Sequence, residues 1–545
     1  MAKDSASSQT VAKGASRMGL ATLMSRFLGL GREQVFAYLF GASHAADAFN
    51  IAFRIPNLLR DLFAEGAMSA AFVPNFMRTL TESRRRAFEL LGGVLIVLLL
   101  ITGVLSVVGM VFTPELVLLY AGSYQEVPGK FELAVGLTRG MFPFFPLVAM
   151  AAVLMGALNA LGFFFLPAFA PVLFNVASIA CGLILVPLMK HYTTMPPIYG
   201  MAVGVVVGGF LQFYVQWWQI RREGFKLSEV LHAIRAPFKT PGVTAVLWLL
   251  IPGTIGLAAT QMGILINSIY ATKAGPGAVS WLNYAFRLMQ FPIGVFGVSL
   301  AAATLPIVSR RLAEKDKQGA GAEINSSLRM TFAVNGPAAA GLMAVGLPIV
   351  QLLFQHGQFT FADSQATAQA VFWYALGLPG YSAVKVLVPV YYALGTTRIP
   401  VAISFVMVAL TAFLNHLFLD ILHYPFWSLA AATSAAATLN AIFLLGILAR
   451  MLPGMINRKL VLSLFLHSFV SLAIGVSAYA TMRVIAPLEE RFSAFLGGRI
   501  VVWGAQVVAA LFVAGVLWWA LGMLFKIEEN QRTARFLLKR FRRTS

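Results

Sequence analysis

Apolar runs recur along nearly the whole chain, separated by short stretches rich in charge, glycine or proline. Each run reaches about 20 residues, long enough to cross the hydrocarbon core of a bilayer as a helix. The pattern predicts fourteen helices. The first six cover 17–40, 47–76, 88–112, 131–157, 160–187 and 197–219; the next six cover 243–270, 278–307, 331–354, 366–392, 401–420 and 427–449; the last two cover 460–484 and 499–525. Met1 to Ser16 are too polar for the apolar region of a signal peptide, so the first helix is expected to stay in place.

Composition supports the same class. Of 545 residues, 59% are hydrophobic and 11% charged, with a mean hydropathy of +0.79; a soluble domain carries roughly a quarter charged residues to cover its surface. An all-α polytopic membrane protein is expected and a soluble enzyme excluded. The single Cys181 rules out a disulfide framework, the seven histidines form no HExxH-type cluster, and no GxGxxG or GxxxxGK[ST] run is present. No metal, nucleotide or other cofactor is therefore expected, and no catalytic residue.

The net charge of +20 matters through its placement. If the N-terminus is cytoplasmic, 28 of the 41 Lys and Arg fall in the loops and termini on that side, while only Lys130, Lys190, Lys273, Arg491 and Arg499 fall opposite. This asymmetry satisfies the positive-inside rule for fourteen spans with both termini cytoplasmic. The basic tail between Lys526 and Arg543 then lies where anionic phospholipid attracts it, and nucleic acid is not an expected partner.

A short repeat relates the second and eighth helices. Asn50-Ile51-Ala52-Phe53-Arg54-Ile55 reads like Asn283-Tyr284-Ala285-Phe286-Arg287-Leu288, 233 residues later. Six spans separate the pair, so the repeats run parallel, as between the halves of some transporters. The chain divides into a lobe at 1–240 (helices 1–6), a lobe at 241–455 (helices 7–12), and a helix pair with the basic tail at 456–545.

Eight cations lie within predicted spans: Arg26, Arg32, Arg54, Arg60, Arg139, Arg287, Lys385 and Arg483. A central Arg or Lys facing lipid costs about 2.5–3.5 kcal/mol on insertion scales, so these are expected to face protein or a wet cavity. Arg139 and Arg483 lie near helix ends, where snorkelling suffices. Arg26 and Arg32 are separated by about 9 Å along a helix and about 120° around it, so they would touch different parts of a large anion. Guanidinium forks suit phosphate and pyrophosphate. Among the acidic residues, Asp47 opens the second helix, where it either caps backbone donors or pairs with a cation. Asp61 and Glu65 share a face and need cationic partners; adjacent side chains diverge on a helix, so an arginine of another helix is expected rather than Arg60. Gly29 and Gly31, and Gly377, Pro379 and Gly380, are candidate hinges, with ordinary packing kinks as the rival reading. Gly346-Leu347-Pro348 reads as a simple kink or stop.

Ser25-Arg26-Phe27-Leu28-Gly29-Leu30-Gly31-Arg32-Glu33 resembles the opening signature of the MurJ/MviN family, the bacterial lipid II flippases. So do Asp47 to Arg60, running into Phe63-Ala64-Glu65-Gly66-Ala67-Met68-Ser69-Ala70-Ala71-Phe72-Val73-Pro74, and further on Pro252-Gly253, Asn267, Tyr284 to Pro292 and Gly294 to Pro306. The resemblance implies the multidrug/oligosaccharidyl-lipid/polysaccharide exporter fold, with two six-helix lobes and a lipid-facing groove formed by the last two helices. It implies transport of lipid II, the undecaprenyl-pyrophosphate-linked peptidoglycan precursor, across the bacterial inner membrane by alternating access. It implies functional roles for Arg26, Arg32, Asp47, Arg60, Glu65, Arg287 and Lys385; with Arg54 from the charge reading above, these arginines and Lys385 are candidate substrate contacts, and Glu33, Asp47, Asp61 and Glu65 are candidates for charge pairing or gating. The family often has Asp where Glu33 stands and a second Arg where Asp61 stands, and the positions of Phe286 and Gln290 can be acidic; these departures alter the expected pairing.

Expected partners are lipid II, membrane phospholipids and, transiently, cell-wall synthesis proteins, with the chain acting as a monomer. Coupling to the membrane potential and coupling to a counter-ion both stay open. The rival functions are transport of another polyprenyl-linked glycan or a small solute, and a non-transporting membrane scaffold.

Overall fold

The computed structural model describes residues 2–64, 67–229, 234, 240–492, 498–525, 527 and 529. Glu65, Arg235, Lys239 and the basic residues between Lys526 and Arg543 lie outside them. All regular structure among the described residues is helical. The chain runs through α1 (Ala2–Phe40), α2 (His44–Ala64), α3 (Ala67–Glu82), α4 (Arg84–Val111), α5 (Thr113–Ala121), a 3-10 turn (Gly122–Glu126), α6 (Lys130–Met141), α7 (Phe144–Ala160), α8 (Phe165–Tyr192), α9 (Tyr199–Arg222) and α10 (Val243–Lys273). It continues through α11 (Ala278–Pro292), a π turn (Ile293–Gly297), α12 (Val298–Ala313), α13 (Lys317–Phe354), α14 (Phe361–Leu376), α15 (Leu378–Ala393), α16 (Arg398–Asn415), a second π turn (His416–Ile421), α17 (Trp427–Met451), α18 (Arg458–Ile485), the short α19 (Leu488–Phe492) and α20 (Gly498–Leu524).

Polar residues set several starts. Ser83 Oγ accepts from the Arg86 amide at the head of α4, Asp316 from Gly319 at α13, and Asn457 from Leu460 at α18. Thr360 and Asp363 form a reciprocal capping box at α14. Ten helical runs are long and apolar enough to cross a membrane, or eleven when α14 and α15, bent by 45° between them, count as one. The protein is thus an all-α, multi-pass membrane protein. Each of these runs overlaps a predicted helix. The remaining predicted runs, α1, α2 with α3, and α10, are also helical, and α1 and α2 carry the interior charges that dilute their apolarity.

Two compact units are present, Met1–Gly277 and Ala278–Ser545. In the first, Phe72, Phe76, Phe88, Leu91, Phe145 and Leu154 form a buried core that Val243 and Val246 of α10 complete. The helix read from the repeat as opening a second lobe at 241 therefore packs within the first unit, so contact and repeat boundaries differ by one helix. Close approach of α9 to α8 depends on Gly200, Gly204 and Gly208, spaced every four residues: a Cβ at Gly204 would lie 3.1 Å from Ser178 Cα, and one at Gly208 3.0 Å from the Phe174 carbonyl oxygen.

The second unit has its own core of α12, α13 and α15 to α18 side chains, among them Leu328, Leu387, Tyr391 and Leu448. The helix pair α18 and α20 packs on itself and on α13. The kink expected near Pro348 is present, with Val345 leaving helical geometry three residues before the proline.

Candidate functional site

The predicted site residues on α2 fall into a ladder. Asp47, Arg54 and Asp61 are seven residues apart, which returns each to nearly the same helix face about 10 Å further along. That face meets α10 and the turn after it, running antiparallel. Asp47 Oδ2 accepts from the Gly277 amide at 2.8 Å, Arg54 Nη1 donates to Ser268 Oγ at 2.7 Å, and Gln261 Nε2 donates to Asp61 Oδ2 at 3.4 Å. Ser268 and Gln261 are themselves seven apart, so two heptad-spaced polar stripes meet.

At one end of this ladder, Asp47 is fully buried and pairs with Lys130 of α6 at 3.1 Å, with 4% of the lysine side chain and 1% of the aspartate side chain exposed. Lys130 Nζ also lies 4.1 Å from the Tyr124 ring centroid. Of the two roles open for Asp47, the cap falls to Ser43, whose Oγ accepts from the Ala46 amide at 3.3 Å. Removing one partner of a buried pair costs about 3–5 kcal/mol, because the other charge is stranded. The surrounding phenols register the same charges. Burial pushes the Tyr120 phenol up to about 12 against the pull of Arg54, and burial with the Asp47 charge holds Tyr124 well above the usual range, with Arg54 opposing.

In the middle, the Arg54 bond to a hydroxyl is a charged hydrogen bond, a class worth about 1.5–3 kcal/mol. At the far end, Arg60 donates from Nε to Asp61 Oδ1 at 3.0 Å and from Nη2 to the same oxygen at 2.5 Å. This corrects the expectation that Asp61 would take its cation from another helix. Adjacent Cβ directions do diverge, but the arginine stem is long enough to curl its fork back onto the neighbouring carboxylate. The same happens on α1, where Arg32 Nη2 meets Glu33 Oε1 at 2.7 Å.

Arg32 also lies over Phe174 of α8, 5.3 Å from its centroid. Phe174 stacks on Phe53, which neighbours Arg54, and Phe53 stacks on Phe49, which meets Phe36 of α1. An aromatic chain therefore joins the arginines of α1 and α2. Arg26 is exposed, and the carbonyl of its neighbour Ser25 accepts from Asn175 at 3.1 Å. Helix α1 runs unbroken through Gly29 and Gly31, where a Cβ would meet Asn175 and Ile179 of α8 at ordinary contact distance.

In the second unit, Arg287 is exposed on α11 and Lys385 exposed on α15. The 45° bend falls at Gly377. Gly377 and Gly380 lie against α17, where a Cβ would come within 2.8 Å of the Ser434 and Thr438 Cα atoms respectively. A separate buried cluster joins Arg329 of α13 to Glu529 at 2.6 Å, with His467 of α18 at 3.7 Å from the same carboxylate.

Sequence reasoning missed Lys130, Ser268, Gln261 and the Glu529 cluster. Lys130 read as a loop lysine, and Ser268 and Gln261 as neutral residues of an apolar run; only the matching spacing of seven on the two helices was available as a signal.

Arginines and carboxylates laid along the helices of a multi-pass membrane protein are the arrangement of a membrane transporter, where interior charge marks a substrate path. The chain belongs to the MurJ family: the family model described as lipid II flippase MurJ matches residues 36–502. The lipid II flippase MurJ of Burkholderia cenocepacia is 37% identical over 424 residues, covering 78% of this chain and 81% of that protein. The probable lipid II flippase MurJ of Bdellovibrio bacteriovorus is 35% identical over 457 residues, covering 82% and 83%. Among solved structures, a lipid II flippase MurJ in an inward closed conformation superposes with a TM-score of 0.75 at 24% identity, covering 93% of this chain and 98% of that one. An inward-facing multidrug resistance transporter of the MATE family, in the MOP superfamily, shares the fold at a TM-score of 0.66 and 14% identity, covering 78% and 96%.

Proposed function

We propose that this chain is a transporter, not an enzyme, and carries lipid II from the cytoplasmic to the periplasmic leaflet of the bacterial inner membrane. The observation that carries the reading is the concentration of arginine on α1 and α2, with Arg32 and Arg54 set among the carboxylates and aromatic rings described above. Arg26, Arg32, Arg54, Arg60, Arg287 and Lys385 would bind the pyrophosphate and the adjoining sugar-peptide headgroup, while Glu33, Asp47, Asp61 and Glu65 set charge pairing and gating. Fourteen spans follow if α1, α2 with α3, and α10 cross alongside the eleven apolar runs, with both termini cytoplasmic.

Residues 1–240 and 241–455 would form the two six-helix lobes of an alternating-access cycle. Hinges at Gly29, Gly31, Gly377, Pro379 and Gly380 would serve that motion. The pair α18 and α20, within 456–545, would guide the undecaprenyl tail in lipid. Lys130 already neutralises Asp47, which favours the membrane potential over a counter-ion held there. A negative headgroup moving outward gains about 2.3 kcal/mol per net charge per 100 mV.

The test is leaflet-specific accessibility of lipid II in proteoliposomes, comparing the wild type with Arg32→Ala. Movement that requires wild-type protein and disappears in the folded variant is the expected result. Equal movement by both removes Arg32 from the site, and no movement with folded wild type rejects the substrate.

A further inference from the structure

Lys130 occupies a position that local physics disfavours. It is the first residue of α6, behind Gly129, which has left-handed backbone (φ 74°) and supplies no side-chain cap. A helix start is the positive end of the backbone dipole, so a cation there is repelled. Burial adds the loss of water around the ammonium. Only the Asp47 carboxylate and the Tyr124 ring face it in compensation among the contacts described. Buried ion pairs can often be replaced by apolar residues without loss of stability, so a pair kept against two local penalties points to a role in placement.

The atom it holds is the informative one. Asp47 Oδ2 takes both the Lys130 ammonium and the Gly277 amide, at 3.1 and 2.8 Å. Gly277 is the last residue of the first compact unit and, with Gly275, has positive φ, 83° and 103°. The turn after α10 is therefore built from backbone that only glycine adopts readily, and its last amide is pinned by a buried carboxylate. Without Lys130, that carboxylate loses the cation that shares Oδ2 with the Gly277 amide.

We propose that Lys130 is a positioning residue for transport: it holds Asp47 Oδ2 in place to pin the Gly277 amide, where the chain leaves the first unit. Lys130 touches no substrate. The proposal rests on the lipid II transport reading for its activity readout, and the experiment carries a second readout that does not.

The variants are Lys130→Arg, Lys130→Met and the double Asp47→Asn/Lys130→Met, each as the full chain. They are compared by lipid II movement in proteoliposomes, by thermal unfolding in detergent, and by hydrogen exchange of the peptide spanning 274–280 without lipid II. Lys130→Arg should retain movement within about threefold and keep the Gly277 amide protected, since the charge remains. Lys130→Met should lower movement by at least about tenfold and speed exchange by a similar factor. The double variant leaves no stranded charge and should unfold near the wild-type temperature; its Asn oxygen can still accept from the Gly277 amide but lacks the ammonium that orients it, so it should still exchange fast and move lipid II slowly. If it regains wild-type movement with its stability, the pair is only structural and the proposal falls. It also falls if the Lys130→Met variant keeps both movement and protection. Should that single variant not fold, hydrogen exchange of the double at 274–280 decides: fast exchange at wild-type stability supports the positioning, and wild-type protection overturns it. Folded wild type that moves no lipid II overturns the transport reading, and hydrogen exchange then judges the positioning by itself.

Discussion

The two helices that share the Asn-x-Ala-Phe-Arg pattern meet different surroundings. On α2, Arg54 sits in the middle of a polar ladder, bonded to Ser268 and flanked by Asp47 and Asp61. On α11, the matching Arg287 is exposed, its neighbour Phe286 packs edge-on against Tyr374, and among the described residues of that unit the buried carboxylate lies elsewhere, at Glu529 paired with Arg329. The repeated hexapeptide transmits a helix and a place on it; the partners come from whichever helix packs alongside. In the first unit, candidate substrate contacts and buried ion pairs share one helix, so stability and transport are entangled. In the second they occupy different elements and should separate under mutation.

The largest expected effect tests that separation directly. Glu529→Gln leaves the Arg329 guanidinium without its carboxylate and should cost about 3 kcal/mol of stability, the low end for a broken buried pair because part of Arg329 remains in solvent. Lipid II movement per folded molecule should stay near wild type. Burial pushes the Glu529 carboxyl up, but His467 and the Arg329 charge pull it down further, so it titrates below its usual value near 4.5. A lowered carboxyl stabilises the fold fully above that usual value and loses the contribution as pH falls through the folded one. Thermal unfolding measured downward from pH 5 should therefore show an acid-dependent loss that Glu529→Gln flattens. Transport that collapses in folded Glu529→Gln would show the second unit to be as entangled as the first.

Next in size is the repeat pair itself. Arg54→Ala should lose about 1.5–3 kcal/mol, the value of a charged hydrogen bond, and reduce lipid II movement together with stability. Arg287→Ala should cost less stability than Arg54→Ala, because the Arg287 side chain is exposed to screening by solvent. Its movement should nevertheless fall by about 10–100-fold if the arginine grips the headgroup. Unfolding in detergent and movement in proteoliposomes, measured on the same preparations, separate the two outcomes. An Arg287→Ala protein as unstable as Arg54→Ala would break the contrast.

The architecture was readable because apolar runs and charge asymmetry are set by the membrane and need no knowledge of neighbours. Every one of the eleven apolar runs overlaps a predicted helix, and the Pro348 kink follows from one residue's missing amide. The charge pairing was less readable. Asp61 was expected to take its cation from another helix, yet it is held by the arginine beside it, as Glu33 is on α1, because side-chain length can overcome divergent Cβ directions. Lys130 was invisible as a partner of Asp47, since 83 residues separate them and nothing in either segment names the other. Helix α5 and the turn after it, which carry Tyr120 and Tyr124, were hidden between two spans by their shortness.

The smallest effect concerns the Asp61 end of the ladder. Arg60 and Asp61 keep 26% and 19% of their side chains exposed, so their ion pair is screened and should contribute no more than about 1 kcal/mol. Asp61→Asn removes the charge but keeps an oxygen that can accept from Gln261 on α10. The variant should unfold only slightly earlier than wild type, well short of Arg54→Ala, and should move lipid II with Arg60 still charged and newly released from its neighbour. If the Asp61 carboxylate serves to restrain Arg60, movement should rise or its dependence on lipid II concentration should shift. If Asp61→Asn instead destabilises as much as Arg54→Ala, the three rungs carry equal weight and the ladder acts as one structural seam, without a transport role graded along it.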